Sequence, residues 1–307
     1  MTHWEISGYV VTDRVLEISE TPAKLQLHLD CLRVEVQDRE PFRIPMEEVG
    51  LLLLANPQIQ ISSAALQALA RAGSSVLICD DKHLPIAELL PLQNHNLHSE
   101  RLRKQIAAKE PLKKRLWQQI VQAKLGSQGL LLKRLRGADH GLIAMVRLVR
   151  SGDTDNYEGQ GARRYWAHLF SDANFVRDRD APDQNRYLNY GYAVLRAQVA
   201  RAICSTGLNP ALGLHHHNRY DIFPLADDLI EPFRAFVDDN VVGIVNKYGS
   251  SAELSPEIRR TLIEVLHQRV IYEGESLQLS KVIFKCAQRL CSLLLGEKTG
   301  RLVFPEP

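Results

Sequence analysis

Two periods of hydrophobicity divide the chain. Up to about residue 90 the apolar residues alternate or cluster in short runs, and beyond it they recur every three to four positions. In "KLQLHLD" Leu25, Leu27 and Leu29 share one face, and in "LRVEVQD" Leu32, Val34 and Val36 do. The phase slips at Cys31 between them, which implies a bulge or a tight reversal. "VGLLLLAN" is a continuous apolar run, as a strand buried on both faces requires, and "SSVLICDD" is a second. Between these, "SSAALQALARAG" reads as a helix capped by Ser62 or Ser63 and stopped at Gly73. The pattern predicts a small β-rich domain with one helix inserted between strands.

Pro85, Pro91 and a polar stretch with Asn94, His95, Asn96 and His98 end this domain, giving expected boundaries of 1–92 for the β-domain and 93–99 for a linker. Residues 100–307 then show helical periodicity near 99–125, 128–150, 157–171, 184–206, 227–247, 255–272 and 276–297, without an internal repeat. The expected fold class is α+β in two domains, a small N-terminal β-rich domain and a larger all-α C-terminal domain.

Length and composition fit this picture: 307 residues, 45% of them hydrophobic and 24% charged, suffice for a sizeable core. No apolar run nears the roughly 20 residues of a membrane helix, and polar Thr2 and His3 follow Met1, so a soluble, cytoplasmic protein without membrane contact is expected. The five cysteines are irregularly spaced with no C-x-x-C pair, which leaves oxygen and imidazole to hold any metal. Charge changes the picture more. Residues 1–100 carry 7 Lys/Arg against 14 Asp/Glu, whereas residues 101–150 carry 13 against 2. Such a block suits a polyanion-binding surface, although a solvated helix face has the same composition.

Two stretches bear chemistry. In "NYEGQGARRYWAHLF" helical phase puts Glu158 with Ala162, Tyr165 and Leu169 on the inward face and turns Arg163 and Arg164 away. A buried carboxylate must be paired, protonated or metal-bound; in an exposed first turn Glu158 would merely complement the helix dipole. Gly159 and Gly161 disfavour a helix by about 1 kcal/mol each, so something there requires a close backbone approach. In "GLHHHNRYDIFPLADDLIEPFR" Asp228 and Glu231 stand three apart and can share a helix face, but taken alone they read better as a capping box with Asp228 as cap, ahead of Pro232. Three histidines in a row, His215, His216 and His217, carry little weight unless carboxylates converge on them. One Glu, one His and one or two further carboxylates make a hard site suited to Mg²⁺ or Mn²⁺ rather than Zn²⁺.

The blocks "NYEGQGARRYW", "LNYGYAVLRAQVARAICSTGLNPALGLHHHNRY" and "LADDLIEPFRAFVDD", with amino-terminal "IPMEEVGLLLLANPQIQISSAALQALARAG" and "ICDDKHLPIAELLPL", resemble the CRISPR-associated adaptation integrases, the first-numbered Cas proteins of spacer acquisition. "DLIEPFR" and "GLHHHNRY" resemble the type II branch most. The resemblance implies an endonuclease and integrase of antiviral defence, with Mg²⁺ or Mn²⁺ held by Glu158, His216 and Glu231. Glu231 stands where many members have Asp, which leaves Asp228 as a further metal ligand or as a helper. No role is implied for His215 or His217. Expected partners are double-stranded DNA (the protospacer duplex and the CRISPR repeat), a second copy in a homodimer, the small second-numbered Cas protein bridging two dimers, and other type II adaptation proteins. Arg163, Arg164, Lys113, Lys114, Arg115, Lys133 and Arg134 are the expected DNA-binding residues. The competing expectation is a non-catalytic DNA-binding structural module whose acids only cap helices.

Overall fold

The run Leu51–Leu54 decides the architecture, because its alternate side chains must find two different cores. A computed structural model of the chain describes residues 9–12, 15–37, 39–91, 96–172, 174–216 and 219–307. In chain order its first part comprises β1 (Tyr9–Thr12), β2 (Val15–Ile18), β3 (Ala23–His28), β4 (Cys31–Val36), β5 (Phe42–Pro45), β6 (Leu51–Leu54), β7 (Gln60–Ile61), α1 (Ser63–Arg71), β8 (Ser75–Cys79) and β9 (Pro85–Leu89). The second part comprises α2 (His98–Ala107), α3 (Glu110–Arg136), α4 (Leu142–Val146), α5 (Tyr157–Leu169), α6 (Asn185–Ser205), α7 (Pro224–Ile230), α8 (Arg234–Tyr248), α9 (Pro256–Glu264), β10 (Arg269–Tyr272), β11 (Glu275–Gln278) and α10 (Leu279–Leu294).

Two sheets make the β-rich part. One has the order β1-β2-β6-β8-β9, with β2, β6 and β8 parallel; the other has the order β5-β4-β3-β7. The reversal expected at Cys31 is a two-residue turn in which Leu29 and Asp30 both adopt left-handed backbone, at φ 47° and 56°. Leu25 is buried, but Leu27 and Leu29 run out towards this exposed tip instead of sharing its face. Ser62 is the cap of α1, its hydroxyl accepting from Ala65 N at 3.2 Å, and Gly73 follows the helix with φ 76°.

The five-stranded sheet is a wall between two cores. Leu16, Ile18, Leu52 and Val76 point into the sandwich with α1, whereas Val15, Leu51, Leu53 and Leu77 point into the helical core. Across this wall the Arg259 guanidinium of α9 is buried against Glu17 of β2 at 2.7 Å, bonds Ser19 at 2.9 Å and Glu20 at 2.7 Å, and meets the Leu254 carbonyl. Tyr190 of α6 donates to the same Glu17 carboxylate at 3.2 Å.

The helical part departs from an all-helical expectation at β10 and β11, an antiparallel hairpin turned by left-handed Glu273 and Gly274. Val270, Ile271 and Tyr272 alternate buried and exposed, the period of a strand. The helices expected at 99–125 and 128–150 are also redistributed. Pro111 starts α3 afresh, α3 runs on through Gly126, and only the short α4 follows. Of the expected linker at 93–99, residues 93–95 lie outside the described residues, as does His217, and His98 already opens α2. Among the described residues no helix is long and apolar enough to cross a membrane.

Candidate active site

Helix α3 forms the back of the site, because its inward face carries one cation among apolar residues. Lys124 lies between Val121, Leu125 and Gln128 and is only 6% exposed. An ammonium so buried needs counter-charge. Two carboxylates supply it: Glu158 of α5, in direct contact, and Glu231, whose Oε2 lies 2.5 Å from Nζ.

The chain immediately before α5 aims Glu158. The buried Asp153 carboxylate accepts from Tyr157 N and Glu158 N, both at 2.9 Å, and Asn156, left-handed at φ 54°, accepts from Gly159 N at 3.1 Å. All three donors are backbone groups that a helix start leaves without intrahelical partners. Gly159 is required by this cap, since a Cβ there would lie 2.7 Å from Asn156 Oδ1. A Cβ on Gly161 would overlap the Leu125 side chain, so this glycine lets α5 close on α3. The two glycines thus serve packing that brings Glu158 to Lys124. As helical phase predicts, Tyr165 and Leu169 on the same face are buried and Arg163 and Arg164 are exposed, while Glu158 itself is half-buried.

Glu231 opens a 3-10 turn, Glu231–Phe233, inserted between α7 and α8 where Pro232 interrupts the helix. Burial alone would raise its carboxyl, but Arg234 and Lys124 together hold it down at about 2. Arg234 Nε lies 2.9 Å from Oε1, and the guanidinium rests over the Tyr192 ring at 4.5 Å. Glu231 is therefore a carboxylate at any physiological pH.

The capping-box expectation fails on geometry. Phe223 precedes α7 and Pro224 opens it, so Asp228 sits inside the helix, fully buried. Its carboxylate accepts from the backbone of Leu214 at 2.5 Å and of His215 and His216 at 3.2 Å each, and from His216 Nδ1 at 2.8 Å. Asp228 thus folds the histidine loop onto α7. Gly213 permits this closure, because a Cβ there would stand 2.6 Å from the His216 carbonyl. With Nδ1–H donating to a carboxylate, Nε2 is the nitrogen His216 has left to offer, and the same bond raises its pKa. Asp227 is taken by Arg196 at 2.8 Å and 3.1 Å.

A hard divalent cation fits this donor set in chemistry. Two carboxylates already converge on a cationic head group, and the imidazole is oriented through Nδ1 by a carboxylate, as metal-binding histidines are. Among the described residues no three His, Cys, Asp or Glu side chains are gathered closely enough to hold an ion; the Lys124 ammonium lies between the two acids instead.

The expected DNA-binding residues divide by position. Lys114, Arg115, Lys133, Arg163 and Arg164 are exposed. Lys113 is paired with Glu110 at 3.3 Å and Arg134 with Asp239 at 2.9 Å. Beside the start of α5, Arg115 joins Arg147, Arg150, Gln118 and Tyr157 around an open groove of about 620 Å³. Sequence reasoning missed Lys124, Arg234 and Asp153. Lys124 had a legible signal, being seven residues after Trp117 on the apolar stripe of α3 rather than on its charged face.

Residues 16–263 match the family model described as CRISPR associated protein Cas1. The chain is 35% identical over 292 residues to the CRISPR-associated endonuclease Cas1 of Neisseria meningitidis serogroup C, covering 92% of this chain and 93% of that one. It is 31% identical over 312 residues to CRISPR-associated endonuclease Cas1 1 of Thermus thermophilus, covering 92% and 96%. Among solved structures, a casposase bound to integration product shares the fold with a TM-score of 0.77 at 20% identity, over 94% of this chain and 92% of that one. A Cas1 protein from Thermotoga maritima does so with 0.76 at 18%, over 93% and 98%. A Cas6-RT-Cas1–Cas2 complex contains a chain with 0.74 at 19%, covering 100% of this chain and 37% of that one.

Proposed function

This chain belongs to the Cas1 family of CRISPR-associated proteins, and on that premise we propose that it is a divalent-metal-dependent DNA endonuclease and integrase that inserts spacers into a CRISPR array. The observation that carries the reading is the convergence of Glu158 and Glu231 on one cation position, beside a histidine whose Nδ1 is held by Asp228. Glu158, Glu231 and His216 would hold Mg²⁺ or Mn²⁺, which when bound neutralises charge on the phosphodiester under attack. Asp228 is the helper that orients His216 rather than a ligand, its oxygens being occupied by four donors of the histidine loop.

In the reaction, the 3′-oxygen of a captured duplex forms a bond to a phosphorus of the repeat. The attacking 3′-hydroxyl gives up its proton, the P–O3′ bond of the repeat breaks, and the departing oxygen takes up a proton to leave as a 3′-hydroxyl. Arg115, Arg147 and Arg150, next to the start of α5, together with Arg163 and Arg164 on its outer face, position the phosphate backbones. Arg234 keeps Glu231 charged and Asp153 keeps Glu158 in place. Partners are a second copy, the second-numbered Cas protein and type II adaptation proteins. The type II assignment rests on "GLHHHNRY" and "DLIEPFR", and Cas2 as partner on the fold shared with a chain of the Cas6-RT-Cas1–Cas2 complex. The work is assigned to the cytoplasm, where the CRISPR array lies.

A non-catalytic DNA-binding module would have these acids serve only as helix caps; against it, Asp228 lies inside α7, and Glu231, at the C-terminal end of that helix, is turned to Lys124 and Arg234. Strand transfer of a labelled short duplex into a repeat-bearing plasmid decides between the two. With Mg²⁺ or Mn²⁺, Glu158→Ala and His216→Ala are expected to lose about a hundredfold or more in rate while still binding duplex, and chelator to abolish transfer by the wild type. Normal rates in both variants would overturn the assignment.

A further inference from the structure

The triple histidine leaves His215 without a role, and the structure supplies one. Its imidazole lies flat on the indole of Trp117, with ring centroids 4.4 Å apart and planes within 2°. The edge of the His216 ring meets the same indole at 5.5 Å and 82°. Trp117 is 2% exposed, and its buried indole N–H has no hydrogen-bond partner among the described residues. Burying that N–H unpaired is destabilising, so a fold needing only an apolar plug would be better served by phenylalanine or leucine. What the indole adds is a face wide enough to seat one imidazole flat and a second edge-on.

Trp117 also occupies a telling place on α3. It stands seven residues before Lys124, two helical turns or about 10.5 Å along the same stripe. One face of one helix thus presents the indole to His216 and the ammonium to Glu158 and Glu231. The Nδ1 bond to Asp228 fixes one point of the His216 ring and does not by itself set its tilt. Its edge contact with the buried indole supplies a second point, and the His215 stack holds the preceding residue to the same surface.

We propose that Trp117 and His215 are positioning residues for His216: the His215–Trp117 stack sets the loop, and the indole edge sets the imidazole that offers Nε2 to the site. The proposal rests on reading His216 as a metal ligand. It needs a flat ring at position 215 and no specific nitrogen there, which separates it from a chemical role for His215.

The test uses the full chain, with Mn²⁺ as the probe. Calorimetry on the protein without DNA measures Mn²⁺ affinity, strand transfer at saturating duplex measures rate, and thermal melting monitors the fold. His215→Ala is expected to weaken Mn²⁺ binding and slow transfer by about five- to tenfold, with duplex affinity and melting temperature unchanged. His215→Phe, which keeps a flat ring, is expected to stay within about twofold of wild type on both. Trp117→Leu should lose Mn²⁺ affinity and rate as His215→Ala does, with a lower melting temperature because the smaller side chain leaves a cavity in the core. Wild-type Mn²⁺ affinity and rate in His215→Ala, beside a severe loss in His216→Ala, would overturn this proposal alone. An equal loss in His215→Phe and His215→Ala would also overturn it. Wild-type Mn²⁺ affinity in His216→Ala would remove the metal-ligand reading and this proposal with it.

Discussion

At the residue scale, buried polar groups frame the candidate site, and Asp238 of α8 is the most sensitive to pH among them. It accepts from Tyr165 Oη of α5 at 2.7 Å and from Tyr192 Oη of α6, with Arg177 and Arg234 the nearby cations. Burial pushes its carboxyl up to about 6, although both hydroxyls and both guanidinium groups pull it down. A folded-state value above the unfolded one means that the native protein holds the proton more tightly. Its contribution to stability is therefore complete below the unfolded value, near 3.8, and is lost as pH rises through about 6. The stability of the wild type relative to Asp238→Asn should fall by about 2 kcal/mol between about pH 4 and pH 7. Denaturant unfolding across that range measures it, and a constant difference would rule the carboxyl out. Residues of this kind leave little trace in sequence. Glu158 was legible because helical phase turned it inward, whereas Asp228 looked like a cap, since D-x-x-E ahead of an apolar run is the same string whether or not a loop folds back onto it.

At the scale of elements, the site depends on how closely α5 approaches α3. Gly161→Ala should place a methyl into Leu125, push the helices apart and destabilise the fold by about 1–3 kcal/mol. Thermal melting reads the loss, and the double variant Gly161→Ala/Leu125→Ala should lose less than the sum of its two single losses, because the shorter side chain vacates the contact. Full wild-type stability in Gly161→Ala would mean that the approach is not tight. The elements themselves were unevenly legible. α5 and α6 fall within two residues of their expected bounds because each is flanked by strong stops. Helix α3 outran its expected end because Gly126 faces open space and is only a weak breaker, while Gly129 is needed for α4: a Cβ there would lie 2.8 Å from Ile143. The hairpin of β10 and β11 was read as helix because four-residue strands offer one and a half periods at most.

At the scale of the molecule, the charge segregation was legible from counts alone, and it matches the exposed arginines beside the site. The change of period separates a β-rich from a mostly helical stretch, as the succession from β9 to α2 does in the structure. What it could not give was the relation between the halves, since that depends on which strand shares which core. Arg259, with Glu17 buried opposite it, tests their union. Arg259→Ala leaves that carboxylate unpaired and should cost about 3–5 kcal/mol. Calorimetry should show one transition for the wild type and one, at lower temperature, for the variant. Two separated transitions would mean that the halves unfold independently.

The wall of β1, β2, β6, β8 and β9 also limits how this protein can be dissected. A helical fragment begun after the linker would lack Val15, Leu51, Leu53 and Leu77, and with them one side of its own interior. The point at which the sequence changes character is thus a poor place to cut.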